Sequence, residues 1–212
     1  MFHMYRIETP IRSRREMRPV SKGKKMTRIH TILLAAILLL AAGPARAQRY
    51  SVGTNAADWL SLGTMNANAS VAVSRRVTLN AEARVNPWTF NTRDAETQLQ
   101  NRHQTYMAGM RWWPWYVYSG WWLGAAAQYQ EYNRGGIFSR STEEGDAFGA
   151  VLSGGYTVML HERLNLDLGA AGWFGQTAYT VYDCPRCGRI SDSGQKWFVL
   201  PSEVYISLIW IF

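Results

Sequence analysis

Two cysteines three positions apart, Cys184 and Cys187, form the most chemically reactive pair in this sequence of 212 residues. They lie in the run CPRCG, and thiols at this spacing form a disulfide, bind a metal, act as a redox pair or stay free. A structural zinc site needs four ligands, usually from two such pairs, and the sequence has no second pair. We expect a small structural disulfide and no metal, with the other readings left open.

Catalytic chemistry has few candidate residues. After the first 47 residues the only histidines are His103 and His161, and His161 is expected in a solvated turn. Enzymes that act on envelope lipid pair a histidine with a serine or a carboxylate, and no such group stands at a readable spacing from His103. Phosphate-loop, HExxH and nucleotide fingerprints do not occur. We therefore expect a protein without catalytic residues or cofactors, and keep an envelope-lipid hydrolase that uses His103 as the alternative.

The first 47 residues form a basic leader. Residues 1–25 are expected to be a non-native extension, and residues 26–47 have the pattern of a signal peptide. Its apolar run from Ile32 to Ala42 has 11 residues, whereas a membrane-spanning helix needs about 20. The run Ala45-Arg46-Ala47 is a small-x-small cleavage site, which predicts Sec-type export of a mature chain of residues 48–212.

The positive net charge lies entirely in this leader. Residues 1–47 contain ten Lys/Arg and two Asp/Glu, whereas residues 48–212 contain thirteen of each. The mature chain is therefore neutral, and the charge gives no reason to expect a nucleic-acid partner.

Alternation of apolar and polar residues marks eight candidate strands in the mature chain, because successive side chains of a strand point to opposite faces. The last strand, Glu203–Phe212, has Val204, Ile206, Leu208, Trp210 and Phe212 on one parity. The other seven are expected at about Tyr50–Leu62, Asn66–Ser74, Val77–Asn86, Thr105–Trp113, Trp121–Gln130, Ala147–Val158 and Arg163–Phe174. No convincing helix is found among them.

Short and long predicted connections alternate along the chain, as they do in membrane barrels. Short turns follow the second, fourth and sixth strands, whereas long loops are expected at about 87–104, 131–146 and 178–199. Outer-membrane barrels have short periplasmic turns and long external loops in this order. The pattern predicts an all-β, eight-stranded antiparallel up-and-down transmembrane β-barrel, OmpA/OmpX-like, in the outer membrane of a Gram-negative bacterium.

Aromatic residues crowd one of the short turns. Indole and phenol rings favour the boundary between lipid and water, so we expect a periplasmic aromatic girdle here. Its members are Trp112, Trp113, Trp115, Tyr116, Tyr118, Trp121 and Trp122. An outer girdle is expected at Trp88, Phe90, Phe174 and Tyr179.

The polar parity of the strands carries charges that are expected inside the barrel. Eight strands enclose a space just wide enough for side chains to fill, so these charges would pair across a plugged lumen. They are Glu82, Arg84, Arg111, Asp167 and Glu203. An ordinary solvated face is the alternative for these charges.

Three motifs carry a resemblance to known proteins. The terminal strand resembles the last strand of outer-membrane barrels, in which a terminal aromatic such as Phe212 is the signal for the barrel-assembly machinery. The run NPWTF at 86–90, the CPRCG run and the terminal SLIWIF together resemble an uncharacterised family of small bacterial outer-membrane proteins with a domain of unknown function, often encoded beside fimbrial genes. The resemblance implies a barrel in contact with outer-membrane lipid and an envelope role, with a fimbrial or other envelope protein as partner.

We therefore expect a small outer-membrane barrel with a structural or interaction role, accessory to the assembly of a fimbria or another surface appendage. Two alternatives stay open: a barrel enzyme acting on envelope lipid, and a soluble periplasmic barrel that binds an apolar ligand.

Overall fold

A computed structural model describes residues 49–93, 98–136, 141–184 and 188–212. The predicted extension, the signal peptide and Cys187 lie outside these ranges. The export signal and the disulfide therefore stay predictions. The described ranges form nine strands and one short helix: β1 (Tyr50–Asn55), α1 (Ala56–Leu60), β2 (Met65–Ala72), β3 (Val77–Asn86), β4 (Thr89–Phe90), β5 (Leu99–Trp112), β6 (Gly120–Gly135), β7 (Thr142–His161), β8 (Leu164–Tyr182) and β9 (Ile190–Ile211).

All nine strands belong to one antiparallel sheet that closes in a ring, which confirms the all-β antiparallel prediction. The ring closes because β1 pairs with β9 and β3 pairs with β5. The two-residue β4 pairs only with β5 among the described strands, so the closed wall consists of the other eight. The first and last described residues are in contact, since the Arg49 amide donates to the Phe212 carbonyl at 2.8 Å.

The wall of the ring is uneven in height. Strands β1 to β3 have 6, 8 and 10 residues, whereas β5 to β9 have 14 to 22. The short turns after β2, β5 and β7 lie at one end, which we call the short-turn end. The extended parts of β5 to β9 rise at the other, which we call the long-hairpin end.

The first predicted strand is wrong in its second half, because the chain leaves β1 at Asn55 and forms α1. Asn55 supplies the reason: its side-chain oxygen accepts a hydrogen bond from the Ala57 amide at 3.1 Å and caps the helix. Asp58 in the first turn adds a favourable interaction with the helix dipole. The described part of the chain contains no helix with the length and apolar character that a transmembrane helix requires.

All three predicted long loops are wrong in extent, because β5 already begins at Leu99 and strand pairing continues through much of the other two. Strand β6 runs to Gly135 and β7 begins at Thr142, while β8 runs to Tyr182 and β9 begins at Ile190. These extensions lack the apolar stripe on which the sequence prediction relied. Backbone hydrogen bonds hold them in register without it, since the ladder does not depend on side-chain polarity.

The two faces of the wall differ in chemistry. Apolar side chains such as Leu79 and Leu208 point outward and are each 45% exposed. Side chains of the opposite parity, such as Arg84 and Asp167, are buried inside the ring with exposures of 7% and 0%. The ring therefore has a polar interior and an apolar exterior, the reverse of a soluble globular sheet protein.

Candidate functional site

The candidate site is the polar interior of the ring, and its centre is Arg84 on β3. The Arg84 guanidinium lies 3.3 Å from Glu82 Oε1 and 3.4 Å from Glu203 Oε2. It also donates to Gln128 Oε1 at 3.1 Å. These partners come from β3, β9 and β6, so this cluster, which we call the Arg84 cluster, links three sides of the wall.

Helix α1 brings a third carboxylate to the Arg84 cluster. Oxygen atoms of Asp58, Glu82 and Glu203 all lie within 4.8 Å of one another. Asn55 limits their repulsion by donating from Nδ2 to Glu203 Oε1 at 2.7 Å. Burial, followed by the Glu203 charge, raises the pKa of Asp58 to about 6, while Arg84 opposes both effects. The Arg84 guanidinium lies against two of these carboxylates, so charge pairing accounts for their grouping.

A second buried cluster centres on Asp167 of β8. Its carboxylate accepts three hydrogen bonds, from Arg111 Nη1 at 2.6 Å, Trp122 Nε1 at 2.6 Å and Thr157 Oγ1 at 2.8 Å. The Arg111 guanidinium also lies 3.9 Å from the centre of the Trp122 ring, which adds a cation–π contact. Every Asp167 partner comes from a different strand, and the carboxylate is fully buried.

Three members of the predicted girdle lie inside the ring, so their assignment to the membrane interface is wrong. Trp113, Tyr118 and Trp122 have exposures of 1%, 4% and 1%. Trp122 follows the outward Trp121 on β6, so its side chain points inward. Trp113 donates from Nε1 to Thr78 Oγ1 at 3.2 Å. With Tyr205, whose ring lies 5.5 Å from that of Trp122, these three form an aromatic plug at the short-turn end.

The other four members of the predicted girdle lie on the outside. Their exposed fractions lie between 47% and 62%, and they are Trp112, Trp115, Tyr116 and Trp121. Trp88, Phe90 and Phe174 are also exposed, at 43% to 47%, whereas Tyr179 is half-buried and donates to Asp192 Oδ2 at 3.0 Å. The exposed rings lie on the outer face of the ring, and their role as an interface girdle stays a prediction.

The interior is filled between its two charge clusters. The cavity between Glu82, Arg111 and the aromatic plug has a volume of about 30 Å³. This space is enough for one or two water molecules and far below that of a solute channel. The structure thus places all five predicted lumen charges inside the ring and joins them into two clusters, Glu82, Arg84 and Glu203 in one and Arg111 and Asp167 in the other.

A larger cavity opens at the long-hairpin end. It has a volume of about 530 Å³, with Asp58 and Arg84 among its lining residues. His103, Arg134 and Trp173 line it as well. The sequence analysis missed Arg134 and Trp173, because Arg134 lies in a segment predicted as a loop. Trp173 could have been predicted, because it lies on the inward parity of β8.

The reactive residues do not come together. His103 Nδ1 contacts the backbone oxygen of Asn101 at 3.3 Å and lies in the wall of the large cavity. His161 ends β7 at the opposite, short-turn end and is exposed. The described part of the chain therefore does not bring both histidines to one site.

One protein family matches residues 31–212, which include every described residue. Its description is protein of unknown function (DUF3575). The chain belongs to this family. Membership confirms the resemblance to a family of unknown function, while bacterial origin, the motifs and the fimbrial link stay predictions. No curated protein and no solved structure matches the chain.

The NPWTF run has a structural role in this member of the family. Asn86 donates from Nδ2 to Thr64 Oγ1 at 2.9 Å, and its Oδ1 accepts from the Trp88 amide at 3.1 Å. Trp88 in turn donates from Nε1 to the carbonyl of Gly63 at 3.0 Å. The run therefore fastens the end of β3 to the turn that follows α1, which holds the helix over the Arg84 cluster.

Proposed function

We propose that the mature chain is an outer-membrane β-barrel of a Gram-negative bacterium, with a plugged lumen and a structural or interaction role in the cell envelope. The observation that carries the proposal is the polarity of the ring, apolar outside and charged inside. In water this arrangement exposes a broad apolar surface, which soluble monomers avoid. In lipid the same surface is favourable, and a closed ring satisfies the backbone hydrogen bonds.

The height of the apolar band supports the membrane assignment. On β5 the outward residues from Tyr106 to Trp112 are apolar, whereas Gln104 and Arg102 continue the same parity as polar side chains. On β8 the band ends similarly between Phe174 and Gln176. Strands of about 9–11 residues cross a bilayer, so the extended parts of β5 to β9 would stand outside the lipid.

The filled interior supports a structural or interaction role. The Arg84 cluster, the Asp167 cluster and the aromatic plug leave no room for solute flow along the described interior. The charged lining also argues against a soluble barrel for an apolar ligand. The extended hairpins would present the surface for an envelope partner, which the resemblance suggests is a fimbrial or other appendage protein.

Fractionation of cells that express the full chain tests the proposal. We expect recovery in the outer-membrane fraction only with detergent, and a band whose gel mobility changes when the sample is heated, because closed barrels resist unfolding in detergent. Deletion of Phe212 should reduce the folded band if the terminal aromatic is the assembly signal. Recovery of folded protein in the soluble periplasmic fraction would refute the membrane assignment.

A further inference from the structure

The large cavity at the long-hairpin end has features of a small-molecule site. Its volume of about 530 Å³ lies within the usual range of about 300–1,000 Å³ for such sites. The Arg84 cluster forms its floor, and the extended parts of β5, β6 and β8 contribute His103, Arg134 and Trp173 to its wall. The cavity lies above the filled interior, so it is closed at one end and open at the other.

The positive charge of Arg134 in the cavity wall is only partly compensated by neighbouring carboxylates. Its guanidinium donates from Nη2 to the neutral Gln130 at 3.3 Å and lies 5.1 Å from the Tyr132 ring. Glu143 is the carboxylate that interacts with it, but Glu143 also accepts Lys196 Nζ at 3.1 Å and Tyr132 OH at 2.8 Å. Among the described residues no carboxylate lies within 4.0 Å of Arg134.

The floor of the cavity shows the contrast. Arg84 lies against two carboxylates, Glu82 and Glu203, so the positive charge of its guanidinium is fully compensated. The charged lining residues as a whole balance, with Arg84 and Arg134 against Asp58 and Glu143. The attraction for an anion is therefore local to the Arg134 guanidinium, which has no carboxylate within 4.0 Å among the described residues. His103 adds no charge at neutral pH, because burial, followed by the charge of Arg134, lowers its pKa to about 4.

Hydrogen-bond donors in the same wall lack partners. The side chains of Thr105 and Trp173 are 1% and 5% exposed, and Thr105 Oγ1 and Trp173 Nε1 make no hydrogen bond among the described residues. The Nε atom of Arg134 is also buried and makes no hydrogen bond among the described residues. A buried donor without a partner costs roughly 1–3 kcal/mol, so a wall with three of them is suited to a ligand rich in acceptor oxygens.

We propose that this cavity binds a small hydroxylated anion, a sugar acid or a sugar phosphate. The guanidinium of Arg134 matches a carboxylate or a phosphate, to which arginine binds through two parallel hydrogen bonds. Gln128, Gln130 and Ser202 in the lining offer neutral partners for hydroxyl groups, and the indole of Trp173 offers a donor. Such an anion exists both as a free solute and as the headgroup of a glycolipid.

Calorimetric titration of the folded full chain in detergent tests the site. The probes are glucuronate and glucose 6-phosphate, with glucose as the neutral control. We expect both anions to bind and glucose to bind at least tenfold more weakly. Arg134→Gln should weaken binding of the anions at least tenfold, while Arg134→Lys keeps part of it and Trp173→Phe weakens it several-fold.

Arg102→Gln is the matched control, because Arg102 lies on the outward parity of β5 and is exposed. All variants are compared only in the fraction whose gel mobility shows a folded barrel. Equal binding of glucose and glucuronate, no binding of either anion, or an equal loss in Arg102→Gln and Arg134→Gln would each overturn the proposal. Vesicles with a phosphorylated glycolipid separate the two ligand sources, since only a headgroup ligand makes them compete with glucuronate.

The test is independent of the membrane assignment. A chain found in the periplasm could still bind glucuronate through Arg134, and a chain found in the outer membrane could fail to bind it.

Discussion

Charged residues in the interior differ in how well their neighbours compensate their charge. Asp167 is the balanced case, since one buried carboxylate receives three hydrogen bonds and one positive charge. Asp58 is the opposite case, because it joins Glu82 and Glu203 around the single guanidinium of Arg84. Three carboxylates share one cation, so protonation of one of them relieves repulsion.

Asp58→Asn should stabilise the fold at neutral pH and alter its pH dependence. The pKa of Asp58 is about 6 in the folded chain, and an unfolded aspartate has a pKa of about 3.9. Between these values the folded state binds more protons than the unfolded state, so wild-type stability falls as pH rises from about 4 to above 6. The substitution removes this loss, which solvent screening of the partly exposed carboxylate limits to about 1–2 kcal/mol at pH 8.

Urea unfolding of the folded protein at pH 5 and pH 8 measures this difference. Asp146→Asn is the control, since Asp146 is exposed on the outward face of β7. The variant Asp58→Asn should show a smaller change between the two pH values than wild type and than the control. The same pH dependence in all three proteins would show that Asp58 titrates normally in the folded chain.

Strands β7 and β8 pack closely against the aromatic plug. Strands β7 and β8 place Gly155 opposite Gly169, and the Trp122 ring lies against both. A Cβ atom at Gly155 would lie 2.6 Å from this ring and would also meet the backbone oxygen of Leu168. The two glycines therefore make the room that lets an indole lie inside a ring of eight strands.

Gly155→Ala should destabilise the ring by roughly 1–3 kcal/mol, because overpacking displaces Trp122 or the β7–β8 pairing. Gly154→Ala is a close control, since its Cβ would point to the outside, with its nearest neighbour, Leu123 Cδ2, at 3.3 Å. The measurement is the urea concentration at which half of the protein loses its folded gel mobility. An equal shift in both variants would mean that the Trp122 contact is not the cause.

The described part of the whole molecule is a ring with an apolar exterior and a polar interior, the reverse of a soluble globular protein. Its stability in a given solvent depends on what covers the outer face, where side chains such as Phe148 and Leu152 are 63% and 60% exposed. Lipid covers such a face without cost, whereas water does not. The uneven height of the wall divides the described ring into a lower part with an apolar exterior, proposed to contact lipid, and an upper part of extended hairpins, proposed to bind a ligand.

Leu152→Arg should therefore impair membrane insertion, because Leu152 lies in the middle of the outward band of β7. An arginine near the bilayer midplane costs about 2–4 kcal/mol in outer-membrane barrels, the class proposed for this chain. Trp197→Arg is the matched control, since Trp197 is 78% exposed on the extended part of β9 and would stand above the lipid. Folding into vesicles, followed by gel mobility, measures both. Normal insertion of Leu152→Arg would contradict the membrane orientation.

The sequence by itself determined the parity of the strands and the residues that share a face. Val77, Leu79, Ala81, Ala83 and Val85 alternate with polar neighbours, and this pattern is local because a strand repeats every two residues. The same reasoning set Arg111 opposite Trp112 and Asp167 opposite Leu168. It could not assign Tyr118 to the interior, since Tyr118 lies in a turn that has no strand parity. Trp113 shares the parity of Arg111 at the end of a predicted strand, and its place among clustered aromatic residues led to the wrong assignment.

Only the tertiary structure decided which charges meet and how far the strands extend. Arg84 and Glu203 belong to strands that lie far apart in the chain, and Arg111 reaches Asp167 across the ring. Such partners depend on closure of the ring, a non-local event that leaves no period in the sequence. The extensions of β6 to β9, with Arg134 among them, are held by backbone pairing and by polar contacts between strands, so the apolar pattern could not reveal them.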